Sequence, residues 1–377
     1  MSIPEVLDMS SVCPDNKRPE ARSAPRFCLA DFSQVDKMQW QRLAEFCESP
    51  NQFYHPNVLR SAKDTWSRLS EIKFVTAYSG DHLVLLQPVL LTRTILGLVC
   101  ELVEVPTGDH MEPLVEQRNS EELLKRFAQF IRDDINPEFL LARSLTKRFA
   151  GVLTDTLPGT RTKMVPAARG WMLSLPESLD ELLRKYSANF RHQIRRRLRK
   201  AEAAGLSYRV VASHRGASTK DLHEALIELR RLHGRRFDSL GRQSFFLKPE
   251  FEKFHDLLVA SPNTGKFNVL FTQVCRGQQQ IGSLYGVQQG QRFTFLMIGF
   301  EPEFASFSPG HLLIYRTAQA LIEDGVTAFD FKCGEESYKS RWSDAAYVKY
   351  EVKVERSLRG TCLRVWRSLI KRLGGQK

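Results

Sequence analysis

Residues 266–300 read KFNVLFTQVCRGQQQIGSLYGVQQGQRFTFLMIGF. β-branched and aromatic side chains dominate, and Arg276-Gly277 and Gly290 interrupt them, so the spacing predicts three consecutive strands over 266–275, 280–288 and 292–300. A loop over 301–309 follows, then helical spacing through Leu312, Leu313, Tyr315, Ala318 and Leu321, then a strand over 326–331. The same order occurs earlier in the chain. Strands are predicted over 72–79, 83–92 and 96–105, a loop opens at Pro106 and Gly108, Leu123, Leu124, Phe127, Phe130 and Ile131 repeat at helical spacing, and 139–142 is a strand. The offset of about 195 residues from Ile72 to Phe267 predicts a duplicated unit. A helix precedes the first set at Val35, Met38, Leu43 and Phe46; between the sets lie one long helix over 177–204, a second over 219–237 and a third after Pro249. The pattern is that of an α/β fold of mixed α+β type, with mostly antiparallel sheets flanked by helices.

With 377 residues, 42% of them hydrophobic and 26% charged, the chain can build more than one core, and collagenous or wholly disordered readings are excluded. Residues 1–25 hold Pro4, Pro14, Pro19 and Pro25 with few large apolar groups, which predicts a flexible tail. No apolar run approaches the roughly 20 residues that cross a bilayer. Glu5 and Asp8 stand where a secretory signal needs positive charge, so a cytoplasmic location is expected. The seven cysteines contain no Cys-x-x-Cys pair, and the nine histidines no ligand spacing, so neither a disulfide framework nor a metal site is expected.

The net charge of +12 favours anionic partners, and it is concentrated. Residues 184–200 carry eight basic groups and 356–377 seven, without an acid in either. In the first, Phe190, Ile194 and Leu198 form an apolar stripe beside Arg191, Arg195 and Arg199, which can reach one extended anion from the same side of a helix. A solvated face is the plain alternative. In the second, Leu363, Val365, Trp366, Leu369, Ile370 and Leu373 mark an apolar face, which suits either docking on the body of the protein or peripheral contact with an anionic membrane.

Two segments carry candidate chemistry. Ser308-Pro309-Gly310-His311 sits where a loop feeds a helix: proline suits the first helical position, glycine allows close approach, and the free N–H groups favour phosphate. Read plainly, it is an ordinary helix cap. Residues 330–342, DFKCGEESYKSRW, follow a strand, and loops at strand ends commonly hold catalytic groups. Tyr338 can protonate a leaving thiolate, Asp330 or Glu335 can accept a proton, and Lys339 or Arg341 can pair with Asp330; a structural ion-pair cluster around Trp342 fits equally. His233, in His233-Gly234-Arg235-Arg236-Phe237, reads more readily as a structural than as a functional histidine. Triad-hydrolase, P-loop and Rossmann motifs are absent.

Taken in order, Asn189-Phe190-Arg191 with Arg195-Arg196, His233 to Phe237, Gly282, Ser308-Pro309-Gly310 with Leu313, Asp330, Gly334 and Tyr338-Lys339 with Trp342 resemble the CelD-type acyltransferase family of the GNAT superfamily, which is similar to the FemAB-like double-GNAT transferases. The resemblance is best over 175–342; earlier, the strand order and the Gly108-Asp109-His110 loop fit. It implies two tandem GNAT-like modules, 26–170 and 171–355, after the tail 1–25 and before a basic amphipathic helix 356–377. It further implies acetyl or another acyl group passing from coenzyme A to an amine or hydroxyl, with an exopolysaccharide or cell-envelope precursor among the acceptors. Carried over by position, Ser308, Pro309, Gly310 and His311, with Arg191 and Arg195, would hold the donor; Asp330, Tyr338, Lys339 and Glu335 would do the chemistry. The sequence departs from the usual pattern in two places. Ser-Pro-Gly replaces the Arg/Gln-x-x-Gly-x-Gly/Ala phosphate loop, and Phe237 stands where tryptophan is expected. Two alternatives stay open: an aminoacyl-tRNA-dependent transferase of the FemAB kind, whose RNA the 191–200 face would hold, and a non-catalytic accessory protein of envelope synthesis.

Overall fold

The computed structural model describes residues 24–47, 51–106, 108–118, 120–157, 159–261 and 266–374, the last six of these by backbone alone. The expected tail at 1–25 therefore lies almost wholly outside the described residues. The first half runs β1 (Arg26–Asp31), α1 (Lys37–Phe46), α2 (Pro56–Thr65), β2 (Lys73–Ser79), β3 (His82–Thr94), β4 (Gly97–Leu102), β5 (Leu114–Val115), α3 (Ser120–Phe130), β6 (Phe139–Leu145), α4 (Lys147–Thr156) and β7 (Arg161–Ser174). After α5 (Leu179–Arg184) and α6 (Ala188–Ala203) the order repeats as β8 (Leu206–Ala212), α7 (Thr219–Asp238), α8 (Pro249–Ala260), β9 (Phe267–Arg276), β10 (Gln279–Gln289), β11 (Arg292–Phe300), α9 (Pro309–Glu323), β12 (Ala328–Cys333), α10 (Ser337–Trp342) and β13 (Ala345–Glu355). A final helix, α11 (Leu358–Gly374), closes the chain as described.

Among the described residues all strands join one sheet, in the order β1-β2-β3-β4-β6-β13-β7-β12-β11-β10-β9-β8, with β5 beside β3. Read from either end, the order is the same for the two halves. Neighbours are antiparallel except β4 with β6 and β11 with β12. The last strands are exchanged: β13 pairs with β6 of the first half, and β7 pairs with β12 of the second. The duplication is thus present, but the two sheets are fused into one, and the expected division at residue 170 falls inside β7.

Exchange explains why β7 escapes a reading of its sequence. Although paired on both edges by β12 and β13, it leaves most of its side chains exposed or half-buried, so it shows no apolar alternation, and it carries Pro166 and Gly170. Pro166 lies beside a register shift that spares it a ladder bond. Gly170 lies under Tyr347, whose ring is 2.1 Å from where a Cβ would stand, so no larger residue fits unless the tyrosine moves. The predicted helix over 177–204 is in fact two. Ser187 caps α6 by accepting from Phe190 N at 3.3 Å, and Arg191 Nη1 donates to Tyr186 O at 2.6 Å, so hydrogen bonding between α5 and α6 favours a turn.

α11 packs against the sheet. Leu363 is buried with Val99, Phe139 and Leu141, Arg364 pairs with Glu355 at 2.6 Å, and Arg367 pairs with Glu101 at 2.7 Å, while Val365 and Trp366 stay exposed. Among the described residues no helix is long and apolar enough to cross a membrane. Deleting residues 358–377 uncovers that apolar cluster and leaves buried Glu101 with Arg68 alone. We expect the melting temperature to fall by roughly 4 °C or more, as differential scanning fluorimetry would show.

Candidate active site

β11 and β12 pair only from Arg292–Thr294 to Ala328–Asp330 and then part, because β12 turns to its antiparallel partner β7. The parting strands leave a splayed cleft. α9 starts at its mouth. The connection from β11 is a 3-10 turn, Pro302–Phe307, fixed from outside by buried Glu301, which meets Arg231 at 2.5 Å and Arg235 at 3.0 Å from α7. Ser308 then takes a left-handed conformation (φ 54°), and its hydroxyl caps nothing in the helix. Pro309 is buried at the first helical position. A Cβ added to Gly310 would meet only Ile298 Cδ1, at 3.8 Å, so the glycine faces open space.

Cations surround this helix start. Lys200 Nζ donates to Ser306 O at 2.9 Å and lies 4.7 Å from the centre of the Phe307 ring. His311 is held neutral: burial first, then the charges of Arg197 and Arg341, push its imidazole down to about 4. The Trp342 indole N–H, a donor only, reaches His311 Nδ1 at 2.9 Å, which fixes the ring's own proton on Nε2. Trp342 is set in turn by edge-to-face packing on Tyr186 and Phe190. Arg197 Nη1 is buried without a hydrogen-bond partner. Of the expected donor-binding residues, Ser308, Pro309, Gly310 and His311 sit together. Arg191 is turned to the Tyr186 carbonyl, and Arg195 is exposed on α6; the residues of the 184–200 basic run beside the helix start are Arg197 and Lys200, which lie outside the expected stripe.

The segment 330–342 separates its residues in a way that its sequence does not reveal. Asp330 is fully buried, and its partner is neither Lys339 nor Arg341. His110 Nε2 lies 2.7 Å from its Oδ2, while Tyr347 OH and the Lys332 N–H each donate to Oδ1 at 2.8 Å. Burial alone would raise this carboxyl, but these donors and the charge of Arg292 hold it well below the usual carboxylate range. Lys339, also buried, ties the loop by donating to Cys333 O at 2.7 Å and pairing with Glu336 at 3.1 Å. Glu335 is exposed. Tyr338 packs on Phe295 and Phe331 at the cleft, where burial pushes its hydroxyl up and keeps it protonated. Arg236 of α7 enters the same place, 4.8 Å from the Phe300 ring centre. His233 is structural: buried, bonded to Ser244 Oγ at 2.8 Å and stacked on Phe237.

His110, Tyr347 and Lys349 were not among the residues expected at the site. Lys349 Nζ lies 2.7 Å from His110 Nδ1, which extends the Asp330 network across the seam between the halves. The Gly108-Asp109-His110 loop was a signal in the sequence, but nothing local says that it meets β12 some 220 residues on. Backbone strain marks the spot. Lys332 has φ 65°, and Ser144, at the corresponding place on β6, has φ 56°; both sit beside β-bulges where each half's strand pairs with its exchanged partner.

The first half has its own cleft, where β4 and β6 part. A cavity of about 430 Å³ there is lined by Arg68, Glu101, Glu104, Gly108, Asp109 and Arg143 among others. Its helix, α3, opens with Glu121 and Glu122, which repel an anion, whereas α9 has no acid in its first turn.

Residues 188–340 match the family model described as an acetyltransferase (GNAT) domain. Among solved structures, the chain is similar to FemX, with a TM-score of 0.60 and 10% identity over 84% of this chain and 96% of that one. It is similar to a conserved protein of unknown function from Bacteroides thetaiotaomicron, with a TM-score of 0.55 and 9% identity over 85% and 98%. A third is the C-terminal domain of a candidate lysylphosphatidylglycerol synthetase from Agrobacterium fabrum, with a TM-score of 0.55 and 10% identity over 89% and 96%. No curated protein matches the chain. At these identities the structures establish a shared fold, and the family match shows that residues 188–340, in the second half of the chain, are similar to a GNAT-type acetyltransferase domain.

Proposed function

We propose that the protein is an acyltransferase that moves an acetyl or other acyl group from coenzyme A to an amine or hydroxyl acceptor. The observation that carries this reading is the start of α9: an acid-free helix end at the mouth of the splay, with Gly310 facing open space and Arg197, Lys200 and Arg341 around it. The Gly310 N–H, the dipole of α9 and the nearby cations suit the diphosphate of coenzyme A, and the unpartnered Arg197 Nη1 gives that group a further donor. The acyl end would lie between β11 and β12, with Tyr338 placed to protonate the departing thiolate. The acceptor class, an amine or hydroxyl on a polysaccharide or envelope precursor, rests on the family resemblance.

Calorimetry with acetyl-CoA tests the reading, which requires saturable one-to-one binding that free coenzyme A competes away. Binding of a charged aminoacyl-tRNA with no response to acetyl-CoA would favour the FemAB-like alternative. The state of His311 gives a second check. Its imidazole is neutral well below pH 7, so the change in acetyl-CoA affinity between about pH 6 and pH 8 should be the same in wild type and in His311→Gln. Tightening toward pH 6 in wild type alone would mean that the histidine titrates in its ordinary range.

A further inference from the structure

Three ionisable side chains from three separate segments make an unbroken line across the seam. Asp330 on β12 meets His110 Nε2 at 2.7 Å, and His110 Nδ1 meets Lys349 Nζ on β13 at 2.7 Å. Asp330 is 0% exposed and Lys349 is 2% exposed. A lysine ammonium only donates, so Nδ1 accepts from it and the imidazole N–H is on Nε2, pointing to the carboxylate. Tyr347 closes the far side of Asp330. Burial lowers both the His110 imidazole and the Lys349 ammonium; Glu112, Cys333 and Arg292 also face Lys349, and Arg292 faces His110. Asp109 binds the Cys333 N–H at 2.6 Å beside them.

The placement is as informative as the bonding. Asp330 is the last β12 residue paired with β11, so it sits at the apex of the cleft that the donor would enter from α9. The loop bearing His110 also walls the first half's cavity through Gly108 and Asp109. The line therefore stands between the two clefts.

We propose that Lys349, His110 and Asp330 form a proton relay for acyl transfer, an inference that rests on the acyltransferase reading above. Lys349 passes a proton to His110 Nδ1, and the imidazolium is stabilised by the Asp330 carboxylate, which acts as a positioning residue. The neutral Lys349 amine takes a proton from the acceptor's nitrogen or oxygen as that atom bonds to the thioester carbon. The carbon–sulfur bond breaks with its electron pair on sulfur, Tyr338 OH protonates the thiolate, and the relay gives up its extra proton through solvent to restore the tyrosine. The products are the acylated acceptor and free coenzyme A, and the relay regains its starting charges. The three groups titrate as one unit.

Two conservative variants separate a relay from a set of structural bonds. His110→Gln keeps an amide N–H for Asp330 and an amide oxygen for Lys349 but cannot take up a proton. Lys349→Arg keeps the cation but cannot release its proton. Thiol release from acetyl-CoA would be followed across pH with water and with ethanolamine as acceptor probes, alongside calorimetry of acetyl-CoA binding. The relay requires a wild-type rate that rises with pH, a loss of roughly 10²-fold or more in both variants, and unchanged donor affinity. If Lys349→Arg does not fold, His110→Gln decides alone, because it preserves every bond of the network. A His110→Gln protein with the wild-type rate and pH profile would make the network structural only. A wild-type protein that binds acetyl-CoA yet releases no thiol to either probe overturns the relay while leaving the donor site intact. Failure of the wild type to bind acetyl-CoA overturns the acyltransferase reading and the relay with it.

Discussion

Gly310→Asp should abolish acetyl-CoA binding in a protein that still melts like the wild type. The new Cβ meets nothing nearer than 3.8 Å, so the fold tolerates it. Its carboxylate, however, would stand in the first turn of α9, opposed to the helix dipole and in the volume proposed for the diphosphate. Losing the N–H contacts and adding like-charge repulsion should cost at least 100-fold in affinity, about 2.7 kcal/mol. Gly310→Ala, which adds the methyl without the charge, should bind within a few-fold of wild type. Equal affinity for wild type and Gly310→Asp, with both folded, would remove the Ser308–His311 segment from the donor site.

Asp330→Ala should be among the most destabilising substitutions in the chain, by about 3–5 kcal/mol, read from urea unfolding. The carboxylate is fully buried and accepts from His110, Tyr347 and the Lys332 N–H, so its removal strands three donors and leaves Glu112 as the carboxylate facing the Lys349 charge. It also releases the strained Lys332 backbone. The sign of the pH dependence follows. Because the folded state holds Asp330 below its unfolded value near 3.9, its contribution is complete above that value and is lost as pH falls through the lower, folded one. Wild type and Asp330→Ala should therefore converge in stability in strong acid. A parallel offset at every pH would mean that the carboxylate is not ionised in the fold.

Much of this fold could be read from local signals. The hairpins at Arg276-Gly277 and Gly80-Asp81, the helix starts at Pro309 and Pro249, and the repeat of strands and helix all have short-range causes, and each appears where its residues predict it. What escaped is what depends on the other half. β7 has no apolar alternation because most of its side chains are exposed or half-buried, and its place in the sheet comes from pairing with β12 and β13. β13 does alternate, through Val348, Tyr350, Val352 and Val354, yet its insertion between β6 and β7 is a tertiary event. The site divides in the same way. Ser308-Pro309-Gly310-His311 is a contiguous helix start and so was legible, whereas the partners of Asp330 come from a loop 220 residues away and from an exchanged strand. Lys339 looked like a candidate for chemistry because its bonds to Cys333 and Glu336 cannot be foreseen from spacing.

The proposed function gives the duplicated fold one donor cleft rather than two. Both halves splay a parallel strand pair, but the first places Glu121 and Glu122 at its helix start and has Ala142 where β12 has Asp330, taking Ser144 and Lys332 as corresponding positions. The second half keeps an acid-free helix start and the buried carboxylate. On this reading the first half supplies His110 to the junction and an acceptor-facing cavity, and the second supplies the donor cleft.

Hydrogen–deuterium exchange with and without acetyl-CoA tests the central claim most directly, because it locates the donor without any knowledge of the acceptor. The account predicts protection centred on the start of α9 and its approach, residues 302–315, with weaker protection over 194–200 on α6 and 338–342 on α10. Protection confined to 101–109 and the start of α3 at 120–124, or none anywhere at saturating acetyl-CoA, would contradict it.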